Sequence, residues 1–492
     1  EALLTVTTTS GSTAVGYHAA YNNAMGSITA IGFEALKANT TGNNNTAVGY
    51  NALDANTTGH THTAVGSGAL TANTTGSHST AVGYLALGAC TTGDSNTAVG
   101  YAALDAITTD SYCTAVGYNA LTSNTAGNQT AVGRLALKSN TTGYENTAVG
   151  SLALEDNTTG GSNVAVGVNA LSTNTTTSNH TAIGHEALYA NTTGADNTAV
   201  GRQALKLNTT GSYNVAVGKN ALPNNTTASN NTCLGTTSLN QNTTGASNTA
   251  VGFQALKANT TASNNTAVGK DALVANTTGT NLVAVGANAL DANTSGNNST
   301  AIGVNALTAN TTGDLNTACG RLALAFNTTG EQNAALGEGA LEANTTASFN
   351  TAIGTKALQT NTTGARNTAV GYNALNDNTT ASYNTAVGDN VMAVNTTGAE
   401  NTAVGQQSLD ANTTGSYNTA LGVNALGANT TGNYNVAIGR DALYTQSTVS
   451  QITAVGYKAG YKNVAAQNTF IGAYSGEWNT SGADNVYIGF KQ

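Results

Sequence analysis

Charge is scarce in this chain. Asp, Glu, Lys and Arg make up 8% of its 492 residues, against roughly a quarter in an ordinary soluble domain. Proline occurs once, at Pro223, and aromatic residues amount to 5%. So few aromatics argue against several conventional globular cores, although the length alone would allow about three domains. The formal net charge of −9 is spread thinly, so no basic footprint for nucleic acid or acidic lipid is expected. No apolar run approaches the roughly 20 residues of a membrane helix, so no membrane insertion is expected. Four cysteines are too few and too irregularly placed for a disulfide framework. These scarcities set aside a typical enzyme, a coiled coil and a collagen. The first residue is Glu1, with no Met and no signal-like segment after it, as expected of a processed or partial chain.

What is abundant is glycine, with 57 positions, and it recurs at a fixed spacing. A glycine closes each Ala-Val-Gly or Ala-Ile-Gly element at Gly16, Gly32, Gly49, Gly66 and Gly83, and so on to Gly456, Gly472 and Gly489. The spacing is 17 residues, shortened by one only at 16→32, 117→133 and 456→472. The unit reads N-T-A-V-G-x-x-A-L-x-A-N-T-T-G-x-x, as from Asn146 onward. Seventeen residues are too few for a helical-hairpin repeat or a propeller blade. They suit one coil of a parallel β-solenoid, with Thr-Ala-Val as one strand and Ala-Leu-x-Ala-Asn-Thr as a second. Asn-Thr-Thr-Gly in each unit would break a helix before it reached useful length. The second glycine, at Gly59, Gly76 and Gly93, is replaced by Ala228, Ala262, Ala347 and Ala381, marking a corner where bulk is excluded. Pro223 falls at a variable place where a ladder hydrogen bond is not required. Residues 1–12 read as a lead-in, 13–439 as the repeat shaft, and 440–492 as divergent, aromatic-rich coils or a cap.

Stacking accounts for the composition. Coils in a parallel sheet lie about 4.8 Å apart, so each side chain sits on its counterpart. Stacked like charges repel, whereas stacked asparagines hydrogen-bond in ladders. Asn39, Asn56, Asn73, Asn140 and Asn157 read as such a ladder. Strand alternation, taken with Val48, Leu53 and Ala55 as the interior, points Ala47, Ala64, Ala81 and Ala98 outward. A line of small residues there reads as a contact with another chain, and a homo-oligomer is expected.

The recurring Thr-Ala-Val-Gly and Thr-Ala-Ile-Gly elements, with Asn468-Thr-Phe-Ile-Gly472, resemble the head repeats of YadA-like trimeric autotransporter adhesins. They resemble still more the repeats of bacteriophage tail-fibre-type proteins. The resemblance covers nearly the whole chain. It implies a left-handed parallel β-roll of about 29 coils, assembled as a homotrimer on a cell surface or virion.

Candidate chemistry is sparse. The cysteines occupy four different repeat positions, which favours buried free thiols over a bridge or a metal site. His60, His62 and His78 lie in neighbouring coils, but no carboxylate recurs with them, and no metal or other cofactor is expected. Asn-Thr-Thr matches the N-glycosylation sequon, though an inward or corner ladder, closed to a transferase, is the preferred reading. An ice-binding face would carry Thr-x-Thr on one strand face, whereas Thr57 and Thr58 are adjacent and alternate sides on a strand. Tyr50, Tyr84, Tyr101, Tyr118, Tyr372 and Tyr457 share one column, which Arg134, Lys219 and Glu338 also occupy. Aromatics concentrate near the C-terminus, where Tyr461, Phe470, Tyr474, Trp478 and Tyr487 are candidates for a cap or for ligand contact. The expectation is a non-enzymatic extracellular fibre, a phage tail fibre or adhesin passenger that contacts a cell-surface glycan or receptor. A self-assembling extracellular filament, glycosylated or not, is the alternative, and an ice-binding solenoid a minor one.

Overall fold

The computed structural model describes residues 11–24 and 26–491. The first ten residues of the expected lead-in lie outside them. Two compact units are present, residues 1–247 and 248–492. The first runs from β1 (Thr13–Val15) to β14 (Thr232–Leu234), the second from β15 (Thr249–Val251) to β29 (Val486–Ile488). Within the first unit, parallel strands pair one coil apart with Ala81 on Ala98 and Val82 on Val99. Within the second, Ala352 pairs with Ala369 and Ile353 with Val370. Each unit is therefore a parallel β-solenoid with a 17-residue coil, as the repeat predicts. Among the described residues there is no helix, and so none long and apolar enough to cross a membrane.

With Asn45 as coil position 1 and Thr61 as position 17, the strand covers little more than positions 2–4. The second strand expected over Ala-Leu-x-Ala-Asn-Thr does not form. That segment is a series of tight turns in which alternate residues take left-handed φ, 52° at Asn51 and 56° at Leu53. Asparagine is frequent at position 7 because its short polar side chain tolerates this region. The turns still bond from coil to coil. The Asn51 amide donates back to the Phe33 carbonyl at 2.9 Å, and the Leu53 amide forward to Ala69 at 2.9 Å. A ladder can thus run through turns that no strand pattern describes. The position-10 amide stays within its own turn, as Lys37 does with Glu34. Pro223 at that position therefore forfeits no bond between coils, and its carbonyl still accepts from Leu207 at 2.9 Å.

The strand faces are the reverse of the expectation. Ala47, Ala64, Ala81 and Ala98 are fully buried within their own coils and are not an interface between chains. The interior is built from position 3 alanine with Ala52 and Leu53, while Ala55 is only half-buried. Leu53 takes up the interior from the turn side, so the strand can bring only a methyl group to meet it. Val48 then lies on the outer face by alternation and is half-buried.

Candidate functional site

Two asparagine ladders frame the interior. The expected one, at position 12, is present. Asn56 Nδ2 donates to Asn39 Oδ1 at 2.8 Å, Asn73 to Asn56 at 2.9 Å, and Asn157 to Asn140 at 2.7 Å. A second, at position 1, is new. The amide of Asn163 donates to Asn146 Oδ1 at 3.0 Å, while Asn146 Nδ2 crosses its own coil to the Gly160 carbonyl at 2.9 Å. Asn157 Nδ2 reaches that same carbonyl at 2.9 Å, so two amides clamp one oxygen and close the coil. Its signal was the first letter of the repeat, which is asparagine in most coils but varies more than the last asparagine, with His62, Ser79, Cys113 and Gln129 among its substitutes. The buried sequon asparagines spend their amides on these bonds, leaving no free Nδ2 for a sugar. The threonines after them both face outward at the corner, not on opposite sides. Thr57 donates its hydroxyl to Thr74 at 3.0 Å, while Thr58 is exposed.

Histidine can stand in a ladder. His180 occupies position 1, its Nδ1 accepting from the Asn197 amide at 3.2 Å and its Nε2 meeting Thr177 Oγ1 at 2.9 Å. Burial pulls its pKa down to about 4. His62 does the same, with Nε2 2.5 Å from the Gly76 carbonyl, and burial lowers its pKa too. The rings of His60 and His78 meet edge to face at 4.9 Å. Among the described residues no three His, Cys, Asp or Glu side chains group as metal ligands. All four thiols are free, and Cys90, Cys113 and Cys233 are buried. Cys319 lies half-buried on the outer face instead of in the core. Burial drives the Cys113 thiol up to about 11, which keeps it protonated and unreactive.

The tyrosine column forms exposed stacks. Tyr17, Phe33 and Tyr50 lie face to face with centroids 5.1 Å apart, and Tyr84, Tyr101 and Tyr118 at 5.2 and 5.3 Å. Within a stack each ring covers its neighbour's face, so a flanked ring offers only its edge and hydroxyl to a ligand.

The C-terminal aromatics divide. Tyr474, Trp478 and Tyr487 line one cavity of about 460 Å³ together with Gly476, Glu477, Asn479 and Lys491. Trp478 is 66% exposed, and Lys462 Nζ sits 3.8 Å above its ring. Tyr461 is elsewhere, stacked on Tyr444 at 5.5 Å. Phe470 contacts no ligand space, because it is fully buried. It stands at the position 3 alanine, paired in register with Ala454 and Tyr487. The leucine position is glycine in its own and the preceding coil. A Cβ on Gly476 would lie 2.1 Å from the Phe470 ring and one on Gly460 2.8 Å away. Large and small have exchanged places across the coil, and Tyr487 follows Phe470 at position 3, its ring stacked on the Phe470 ring at 5.2 Å.

An indole and two phenols beside a carboxylate, an amine and an amide can stack on a flat apolar ring face while bonding hydroxyls around it. Sequence reasoning reached the aromatics of this cavity but not Glu477 or Lys491, at variable coil positions, or Asn479, a member of the position 12 ladder whose Nδ2 donates to Asn463 Oδ1 and to the Gly482 carbonyl, each at 2.8 Å. No protein-family model matches the chain, and no curated protein matches it.

Proposed function

We propose that the chain is a non-enzymatic structural fibre element, working outside a cell or on a virion, that associates with copies of itself and holds a cell-surface glycan. The homotrimer is the assembly that the resemblance to adhesin heads and tail-fibre repeats implies. The observation that supports recognition is the convergence of Tyr474, Trp478 and Tyr487 with Glu477, Asn479 and Lys491 on one cavity. Pyranose rings fit that chemistry, with C–H faces against the aromatics and hydroxyls against the polar groups. Many copies held in one assembly would add weak contacts into avidity.

The test is a glycan-array screen of the full chain, followed by titration of the best oligosaccharide. Trp478→Ala is expected to weaken binding about tenfold or more while the thermal midpoint holds, since the ring is exposed. If the intact chain retains no glycan, or Trp478→Ala binds as well as the parent, recognition at this cavity is wrong. The filament alternative draws support from a separate feature, the outer face of the strands.

A further inference from the structure

On the outer strand face, position 4 is Val, Ile, Leu or Cys in all 29 strands. It is half-buried or exposed throughout, with Leu234 51% and Leu336 50% accessible. Strand propensity does not account for this restriction. Threonine is as good a β-former as valine, and it dominates position 2 of the same face, yet it never occurs at position 4. Leucine and cysteine, which are not β-branched, are admitted there. The column selects for apolar character and not for strand formation. Position 2 is also uncharged throughout, whereas position 6 beside them carries Arg134, Lys219, Glu338 and Asp389.

We infer that this face, formed by Val65, Val82, Val99 and their equivalents flanked by the position 2 threonines, is where a second copy of this chain docks. The inference rests on the self-association proposed above and names its surface. Two arguments choose the occupant. The first is area. The three residues of positions 2–4 span about 10 Å, and each coil advances about 4.8 Å, giving roughly 48 Å² per coil. The 14 strands of the first unit then present about 670 Å², within the roughly 600–1,000 Å² per partner of a stable specific interface. The second is period. Ridges repeating about every 4.8 Å interdigitate along their length only with a surface of equal repeat, and a copy of the chain supplies one.

The test is the native mass of the full chain by light scattering after chromatography. A first variant carries Val65→Lys, Val99→Lys, Val132→Lys and Val166→Lys. A control carries the same charge on the exposed corner, as Thr75→Lys, Thr109→Lys, Thr142→Lys and Thr159→Lys. The parent and the control should run at a multiple of 48.9 kDa, and the valine variant at the single-chain mass with an unchanged circular dichroism spectrum. Should the lysines prevent folding, Val→Thr at the same four sites keeps shape and strand propensity, and its dissociation constant should rise at least tenfold. A folded valine variant that keeps the parent's mass overturns this face while leaving self-association standing. A parent that is monomeric at every concentration overturns both.

Discussion

Asn56 shows what one residue must do in this fold. Its Nδ2 serves both Asn39 Oδ1 and the Gly59 carbonyl while its Oδ1 takes the amide of Asn73. Only a side chain with donor and acceptor together meets all three demands. Asn56→Asp replaces the donor with oxygen facing oxygen, and should open the coils around residues 39–76 more than Asn56→Ala does. The alanine is expected to cost about 2–3 kcal/mol, and hydrogen exchange of the neighbouring amides reads both. The converse is also available. The ladder is interrupted where Cys90 and Ile107 replace asparagine, and Asn73 Oδ1 is left buried without a partner among the described residues. Restoring it through Cys90→Asn with Ile107→Asn should slow exchange between residues 73 and 124. His180 adds a pH dependence. Its folded pKa of about 4 lies below the roughly 6.5 of an unfolded histidine, so the unfolded chain takes up the proton first. Its effect is nil above pH 6.5, and stability falls by about 1.4 kcal/mol per pH unit between there and 4. His180→Asn should remove that part of the acid loss in thermal melts recorded across pH 4–7.

At the scale of the coil, the backbone is unequally tolerant. Where the repeat is one residue short, between Gly117 and Gly133, the strands still pair Thr114 with Thr130 and Ala115 with Ala131. The slip is absorbed at the corner, where Asn124 Nδ2 reaches the carbonyl two residues on, at Ala126, instead of three. Deleting Thr58 should therefore cost little, about 1 kcal/mol, whereas deleting Ala47 should unfold its coil, because a one-residue slip turns every strand side chain over. Thermal melts of the two deletions separate the cases. The exchange at Phe470 makes a sharper prediction. Phe470→Ala should cost about 3–5 kcal/mol by opening a cavity. Adding Gly476→Leu should return most of it, since Gly476 already holds φ 56°, the conformation leucine adopts at this position in other coils.

For the molecule as a whole, the period and the parallel coil were legible because 17-residue recurrence admits few other folds. The position 12 ladder was legible because stacking leaves few choices for a buried polar column. The inner and outer faces were not. Thr-Ala-Val alternates equally well in either sense, and the choice was made by Leu53, whose left-handed φ puts bulk inside from the far side of the coil. Propensity rules do not place a leucine there, so the second strand was misread for the same reason. The cavity was half legible, since aromatic enrichment shows in composition while the companions of Trp478 become neighbours only in the folded coils.

The asparagine ladders have an arrow. Among the described residues the bonds between position 12 side chains within each unit run from an amide nitrogen to the Oδ1 of the preceding coil, as from Asn39 to Asn23, from Asn344 to Asn327 and, through Nε2, from Gln446 to Asn429. Asn23 Nδ2 in turn has no partner among the described residues. Amide dipoles aligned head to tail sum along a column as they do along a helix. Each stack therefore has a donor end and an acceptor end that differ in kind. A coil added at the donor end must bring a carbonyl, and one added at the acceptor end an amide hydrogen. Two like ends cannot satisfy each other, so any joining along the axis is one-way.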